Sequence, residues 1–287
     1  MTQLRRRMIE DLRIRNYSPQ TVDRYVRCVA AFARHFRRCP SLLGPEEIRS
    51  YQVHLAVDLR RSYSTLNLTV CALRFLYRIT LHNPFPIHLI PFARTPKKLP
   101  IVLSRSEVSA LLRAAEFPHY YAFIATLYST GIRLSELRFL STSDLDASRG
   151  IIRVNGKGSR QRQVPLTTRL LSCLRAYWIE QAVDSPWLFP GRYPDKPVCR
   201  ETIQYAIART ARVAGLSKRV SPHTLRHTFA THLLEAGVDL FRIQRLLGHA
   251  KFSMTTVYLH LATNDIRAVT NPLDLLSEDT GSERNGP

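Results

Sequence analysis

Between His82 and Pro100 the chain runs HNPFPIHLIPFARTPKKLP, which gathers five of its 17 prolines (Pro84, Pro86, Pro91, Pro96, Pro100) into one short stretch. Each pyrrolidine removes a backbone donor and fixes φ, so neither a helix nor an inner strand runs through such a segment. It permits an extended connector, and the chain must fold as separate bodies on either side. We read residues 1–95 as one domain, 96–103 as the linker, 104–272 as a second domain, and 273–287 as a C-terminal segment ending in a polar tail, SEDTGSERNGP. Leu273, Leu275 and Leu276 precede that tail as a small apolar patch able to dock elsewhere.

The first domain reads as helical throughout. Ser18 caps a helix with Pro19 at its first position, and Val22, Tyr25, Val26, Val29, Phe32 and Phe36 form its apolar stripe. A second helix runs from Pro45 through Ile48, Tyr51 and Leu55, and a third is capped by Ser64, with Leu66, Val70, Leu73, Leu76 and Tyr77 turned inward. The face of the first helix opposite its stripe carries arginines.

Charge narrows the partner. The 287 residues hold 42 Lys plus Arg against 22 Asp plus Glu, a formal +20, and residues 1–103 alone carry +12. An imbalance of this size repels itself unless a polyanion supplies the opposite sign, which favours nucleic acid over an anionic membrane surface. Arg24, Arg27 and Arg34 are the candidate DNA contacts. The basic start, Met1 to Arg7, leads into an amphipathic helical pattern instead of a continuous apolar stretch, and no run is long enough to span a bilayer, so we expect a cytoplasmic protein without a membrane partner. Five scattered cysteines with no CxxC pair suggest neither a disulfide framework nor a thiolate metal cage.

The second domain opens on a capping box, Ser104-Arg105-Ser106-Glu107. Helical patterns dominate except in GIIRVNGKGSRQRQVPL, where β-branched residues flank Asn155-Gly156-Lys157-Gly158 and predict a hairpin with Lys157 at or near its tip. The fold class is therefore mainly α with a small antiparallel β-hairpin or sheet.

Three segments near the C-terminus carry the chemistry. SPHTLRHTFATHLL is a helix capped by Ser221 with Pro222 at its first position and Gly237 past its end, so that His223 and Arg226, three apart, share one face of the first turn. His223 and His227 also have the i, i+4 spacing of a zinc pair, but the Glu of HExxH is absent and an Arg lies between them, which repels a cation. Asp239 caps a short helix that Gly248 stops, presenting His249 in the following loop, and Ser253 caps a further helix bearing Tyr258. Taken alone, Tyr258 between Val257 and Leu259 reads as a core aromatic.

Together these segments resemble the tyrosine recombinase, or phage integrase, family over nearly the whole chain. The matching residues are Arg133 in TGIRLSEL, Lys157 on the hairpin, His223 and Arg226 in HTLRH, His249 in LLGHA and Tyr258 in TTVYLH. The resemblance implies a helical, SAM-like core-binding domain followed by an α+β catalytic domain, which clamp a duplex carrying a specific core site. It also implies four protomers on two duplexes, as a homotetramer or with a second recombinase, and a minimal Xer-like or simple transposon type.

The residue types suit that chemistry. A phosphodiester repels nucleophiles, and its pentavalent transition state concentrates charge on the non-bridging oxygens, where the permanently charged forks of Arg133 and Arg226 fit and His249 adds a donor. Tyr258 is the candidate nucleophile and His223 the candidate base, while Lys157 is the candidate acid for the 5′ oxygen, as the resemblance implies. Glu136 is expected to orient an arginine or histidine, with a purely structural salt bridge equally open, and His227 is expected to support the site from behind. A covalent 3′-phosphotyrosine conserves the bond energy, so we expect no metal, no cofactor and no ATP. A type IB topoisomerase and a DNA-binding protein without catalysis are the alternatives.

Overall fold

Among the described residues, serine side chains cap the starts of four α-helices, at Ser18, Ser62, Ser104 and Ser221. The computed structural model describes residues 2–83, 90–94, 96, 99–156, 161–181 and 183–261, and its contacts divide the chain into two units, Met1–Lys98 and Leu99–Pro287. Helices predominate in both, and among the described residues the strands form one three-stranded antiparallel sheet.

The first unit holds α1 (Gln3–Ile14), α2 (Pro19–Phe36), α3 (Pro45–Val53) and α4 (Tyr63–Phe75). The last two run on into π turns, His54–Asp58 and Leu76–Thr80. Helix α2 begins as expected, with the Ser18 hydroxyl accepting from Thr21 N. Helix α4 begins at Ser62, not at the expected Ser64, because Ser62 has Thr65 three residues ahead: its Oγ accepts the Thr65 N–H at 3.3 Å and lies 2.9 Å from the Thr65 hydroxyl. Met8, Leu12, Phe32, Ile48, Leu73, Leu76 and Tyr77 are fully buried between these helices. Tyr77 keeps its hydroxyl satisfied there by donating to the carbonyls of Pro40 and Leu43. Arg24, Arg27 and Arg34 lie exposed on α2, Arg27 paired with Asp23 at 3.0 Å.

The second unit is arranged around α6 (Pro118–Thr130), which packs against α8 (Thr168–Gln181), α9 (Arg200–Val213) and α10 (Pro222–Glu235) and is buried on most of its faces. Helix α5 (Arg105–Arg113) starts with the expected capping box of Ser104 and Glu107. Helix α7 (Leu134–Arg138) follows α6 closely. The sheet runs in the order β1 (Leu145–Asp146), β2 (Ile151–Asn155), β3 (Gln161–Pro165), with Ile152 opposite Val164 and Val154 opposite Arg162. The expected hairpin is thus formed by β2 and β3, and Lys157 lies outside the described residues, as do Leu273, Leu275 and Leu276. Helix α11 (Leu240–Leu247) has the expected Asp239 cap and ends on Gly248 in the left-handed region. The expected helix from Ser253 is instead two 3₁₀ turns, Phe252–Met254 and Thr256–His260, neither with a side-chain cap.

Gly131 lets the end of α6 approach α10 closely. Gly131 ends α6 at φ +61°, and a Cβ there would sit 2.3 Å from Phe229 Cδ1 of α10. Gly131→Ala is expected to cost about 3 kcal/mol, combining left-handed strain with overpacking. Urea unfolding checks it, and a loss below about 0.5 kcal/mol would show that the close approach is not needed.

Candidate functional site

Three arginines distant in the chain converge on one helix end. The last carbonyls of α11 have no partners within the helix and lie at the negative pole of its dipole. Arg162 Nε donates to Leu246 O at 2.7 Å, Arg226 Nη2 to Leu247 O at 2.6 Å and Arg133 Nη2 to Gly248 O at 3.1 Å. The guanidinium of Arg226, nearly inaccessible, is also fixed by Nη1 donating to Gly131 O at 2.6 Å. Each fork is therefore oriented by backbone and keeps further N–H groups for an anion.

Glu136 ties two of these arginines together. Its carboxylate accepts from Arg133 Nη1 at 2.9 Å, from the Arg133 backbone N at 2.6 Å, and from both terminal nitrogens of Arg162 at 2.8 and 2.7 Å. Burial alone would raise its pKa, but the bonds from Arg162 and then Arg133 outweigh it and hold Glu136 down to about 2. One carboxylate thus stands against three guanidinium groups. Burial, and after it the charge of Arg133, lowers Arg226 to about 10, which still leaves it cationic at neutral pH.

The histidines and the tyrosine surround this cluster. His223, exposed at the first turn of α10, has its pKa lowered by desolvation of the ring and then by Arg226, Arg133 and Arg200. His227, one turn further on, places Nδ1 3.1 Å from the Tyr258 hydroxyl. His249 places Nδ1 2.9 Å from the Thr255 hydroxyl, and its ring lies nearly parallel to that of Tyr258 at 6.4 Å. Tyr258 itself is fully buried among Phe229, Ala230, Leu234, Ile243 and Leu247. Burial raises its pKa, and Arg226 and Arg133 oppose the rise. Arg133, Arg226, Glu136, His223, His227, His249 and Tyr258 are therefore brought to one place, while Arg24, Arg27 and Arg34 belong to the other unit.

Reading the sequence missed Arg162 and Thr255. Arg162 was detectable: it shares strand parity with buried Val164, and a charged side chain on the inner face of a strand needs a buried counter-ion. Thr255 carries no pattern of that kind. Among the described residues no group of three or more His, Cys, Asp or Glu side chains could hold a metal ion.

These environments set an acid limit on stability. Burial, followed by nearby positive charge, holds both His227 and His249 down to about 4 in the folded chain, against about 6.5 when unfolded. Between those values the unfolded state binds protons that the folded state does not, so stability falls as pH drops from about 6.5 to 4, by on the order of 3 kcal/mol per imidazole. The contribution of Glu136 is present above about 4.5 and is lost only as pH falls towards 2. Urea midpoints across this range check the first window: a His227→Gln, His249→Gln double variant should lose most of the slope between pH 6.5 and 4, and a slope kept in full would contradict the assignment.

The comparisons with known proteins agree with one another. The Phage integrase family matches residues 102–265, and the phage integrase N-terminal SAM-like domain matches residues 4–87. The putative integrase/recombinase y4qK of Sinorhizobium fredii is 42% identical over 278 residues, covering 96% of this chain and 90% of its own. The tyrosine recombinase XerD of Yersinia pestis is 36% identical over 243 residues, covering 78% of this chain and 80% of its own. In fold, the XerH site-specific recombinase bound to its palindromic difH substrate in a post-cleavage complex superposes with a TM-score of 0.74 at 23% identity, over 87% of this chain and 78% of that one.

Proposed function

The chain belongs to the phage integrase family of tyrosine recombinases, enzymes that cut and rejoin DNA strands, and on that premise we propose that Tyr258 is the nucleophile of a 3′-phosphotyrosine intermediate. The observation that carries the reading is the surplus of positive charge beside a phenol: Arg133, Arg226 and Arg162 against Glu136 alone, with Tyr258 close enough to feel Arg226 and Arg133. An anion is what this cluster lacks, and a scissile phosphate supplies it.

In the proposed reaction the phenolic oxygen bonds to phosphorus as the bond to the 5′ oxygen breaks, and Arg133, Arg226 and His249 stabilise the charge that develops on the non-bridging oxygens. Lys157 delivers the proton that the 5′ oxygen needs, a role resting on the family resemblance. Because the phosphodiester energy is kept in the phosphotyrosine, attack by a 5′ hydroxyl reverses the step without ATP or metal. Tyr258 is buried in the free chain, so the Thr256–His260 turn must move outward for in-line attack.

Two imidazoles compete for the phenol's proton. The 3.1 Å contact favours His227 in the resting arrangement, and the exposed position at the start of α10, where phosphate meets backbone N–H groups, favours His223 once DNA is bound. We assign the base to His223. His223→Gln is expected to slow strand cleavage about 10² to 10⁴-fold and His227→Gln by less, in single-turnover assays. The reverse order would hand the role to His227.

Arg24, Arg27 and Arg34 on α2 are proposed to follow the phosphate backbone, which positions the chain without reading sequence. Four protomers on two duplexes, alone or with a second recombinase, is the assembly we propose from the family resemblance. The whole reading is tested by exposing the chain to a library of nicked duplexes. An SDS-resistant complex forming in EDTA without nucleotide supports it, and sequencing the captured DNA identifies the site. Strict dependence on a divalent metal, or relaxation of plasmids whatever their sequence, would overturn it.

A further inference from the structure

We propose that Thr255 is a positioning residue that fixes His249 in the tautomer carrying its proton on Nε2, so that an N–H and not a lone pair faces the phosphate. The inference rests on the proposed function only for the last clause. Thr255 is fully buried, and its hydroxyl lies 2.9 Å from His249 Nδ1. Among the described residues this is the hydroxyl's only hydrogen bond.

The two possible assignments of that bond are unequal. If Nδ1–H donates to Oγ1, the threonine's own proton is left in the interior without an acceptor, a loss worth about 1–3 kcal/mol. Nε2 then has a lone pair and no proton to offer the phosphate of the proposed reaction. If Oγ1–H donates to Nδ1, the buried hydroxyl is satisfied and the single ring proton of a neutral imidazole sits on Nε2. Neutrality is maintained by burial together with Arg226, Arg133 and Arg162, which hold the ring's pKa at about 4.

Thr255 is placed to do this by the backbone around it. Its N–H donates to Phe252 O at 2.7 Å, closing the first 3₁₀ turn, and its carbonyl accepts from Tyr258 N at 3.1 Å, starting the second. One residue therefore orients the proposed oxyanion donor with its side chain and supports the nucleophile's turn with its main chain.

Nitrogen-15 spectra of the full chain, labelled in histidine and assigned with His249→Gln, read the tautomer without DNA. The unsubstituted chain should show a pyridine-like Nδ1 and a pyrrole-like Nε2 for His249. Thr255→Val, of the same shape without the donor, should mix the two forms and slow cleavage about 10-fold or more, and Thr255→Ser should restore both. A pyrrole-like Nδ1 in the unsubstituted chain overturns the proposal without any variant having to fold. An unchanged spectrum in Thr255→Val overturns it as well. A chain showing the expected tautomer that never cleaves DNA would instead remove the proposed function.

Discussion

Tyr258→Phe is expected to bind its DNA site as the unsubstituted chain does and to leave every strand uncut. The substitution removes one oxygen from a side chain that is fully buried, and the ring keeps its packing against Phe229, Ile243 and Leu247. What is lost inside the protein is the single 3.1 Å contact to His227, whose neutral ring then lacks one partner, so stability should change by about 1 kcal/mol. What is lost in the reaction is the attacking atom. Cleavage should fall by a factor on the order of 10⁴ to 10⁶, to the background rate. Binding measured by mobility shift should stay within about 3-fold, a difference below 1 kcal/mol. Weakened binding of the same order as the lost cleavage would mean that Tyr258 holds DNA instead of attacking it.

Arg226→Met is expected to lower strand cleavage about 10³ to 10⁵-fold, the range over which a transition-state arginine acts. Arg226 donates to Gly131 O and Leu247 O at 2.6 Å each, so its position is set before substrate arrives, and its charge is held in a place where solvent barely screens it. Methionine fills a similar volume without a donor. Removing a buried cation relieves its repulsion with Arg133 and Arg162 but strands the two carbonyls, and these opposing effects should keep the change in stability to within about 2 kcal/mol. Arg226→Lys should recover little of the rate, because one ammonium cannot span both carbonyls and a phosphate. Near-normal cleavage by either variant would remove Arg226 from the proposed chemistry.

The fold was legible in the sequence where local rules decide it. Ser18, Ser104, Ser221 and Asp239 cap the helices they were expected to cap, and the β-branched residues around Asn155-Gly156 do form a hairpin. Helix α4 starts at Ser62 and not at Ser64 because of its neighbour three residues on: Ser18, Ser62 and Ser221 are each followed at that spacing by a threonine whose hydroxyl meets the capping serine. The helix expected from Ser253 failed for a different reason. Tyr258 sits on a short 3₁₀ turn with no side-chain cap; its place between Val257 and Leu259 marks it as a core aromatic, but the partners that hold it, Phe229, Ile243 and Leu247, are set by tertiary packing.

The site was legible as residue types and not as geometry. Arg133, His223, Arg226, His249 and Tyr258 are singled out by their motifs, but nothing in those motifs says that the free carbonyls of α11 would anchor the arginines. Glu136, left open between a structural ion pair and an orienting role, turns out to bond both Arg133 and Arg162. Arg162 itself lies 26 residues away from Glu136 and enters through the pairing of β3 with β2. Contacts of that range come from topology, and only the folded chain displays them.

The central claim is tested most directly by locating the covalent bond. A nicked duplex carrying the captured site is allowed to react, the complex is digested with protease and nuclease, and the modified peptide is sequenced by mass spectrometry. The account predicts a nucleotide joined through its 3′ phosphate to Tyr258. A phosphate on any other residue, or attachment through a 5′ phosphate, would contradict it.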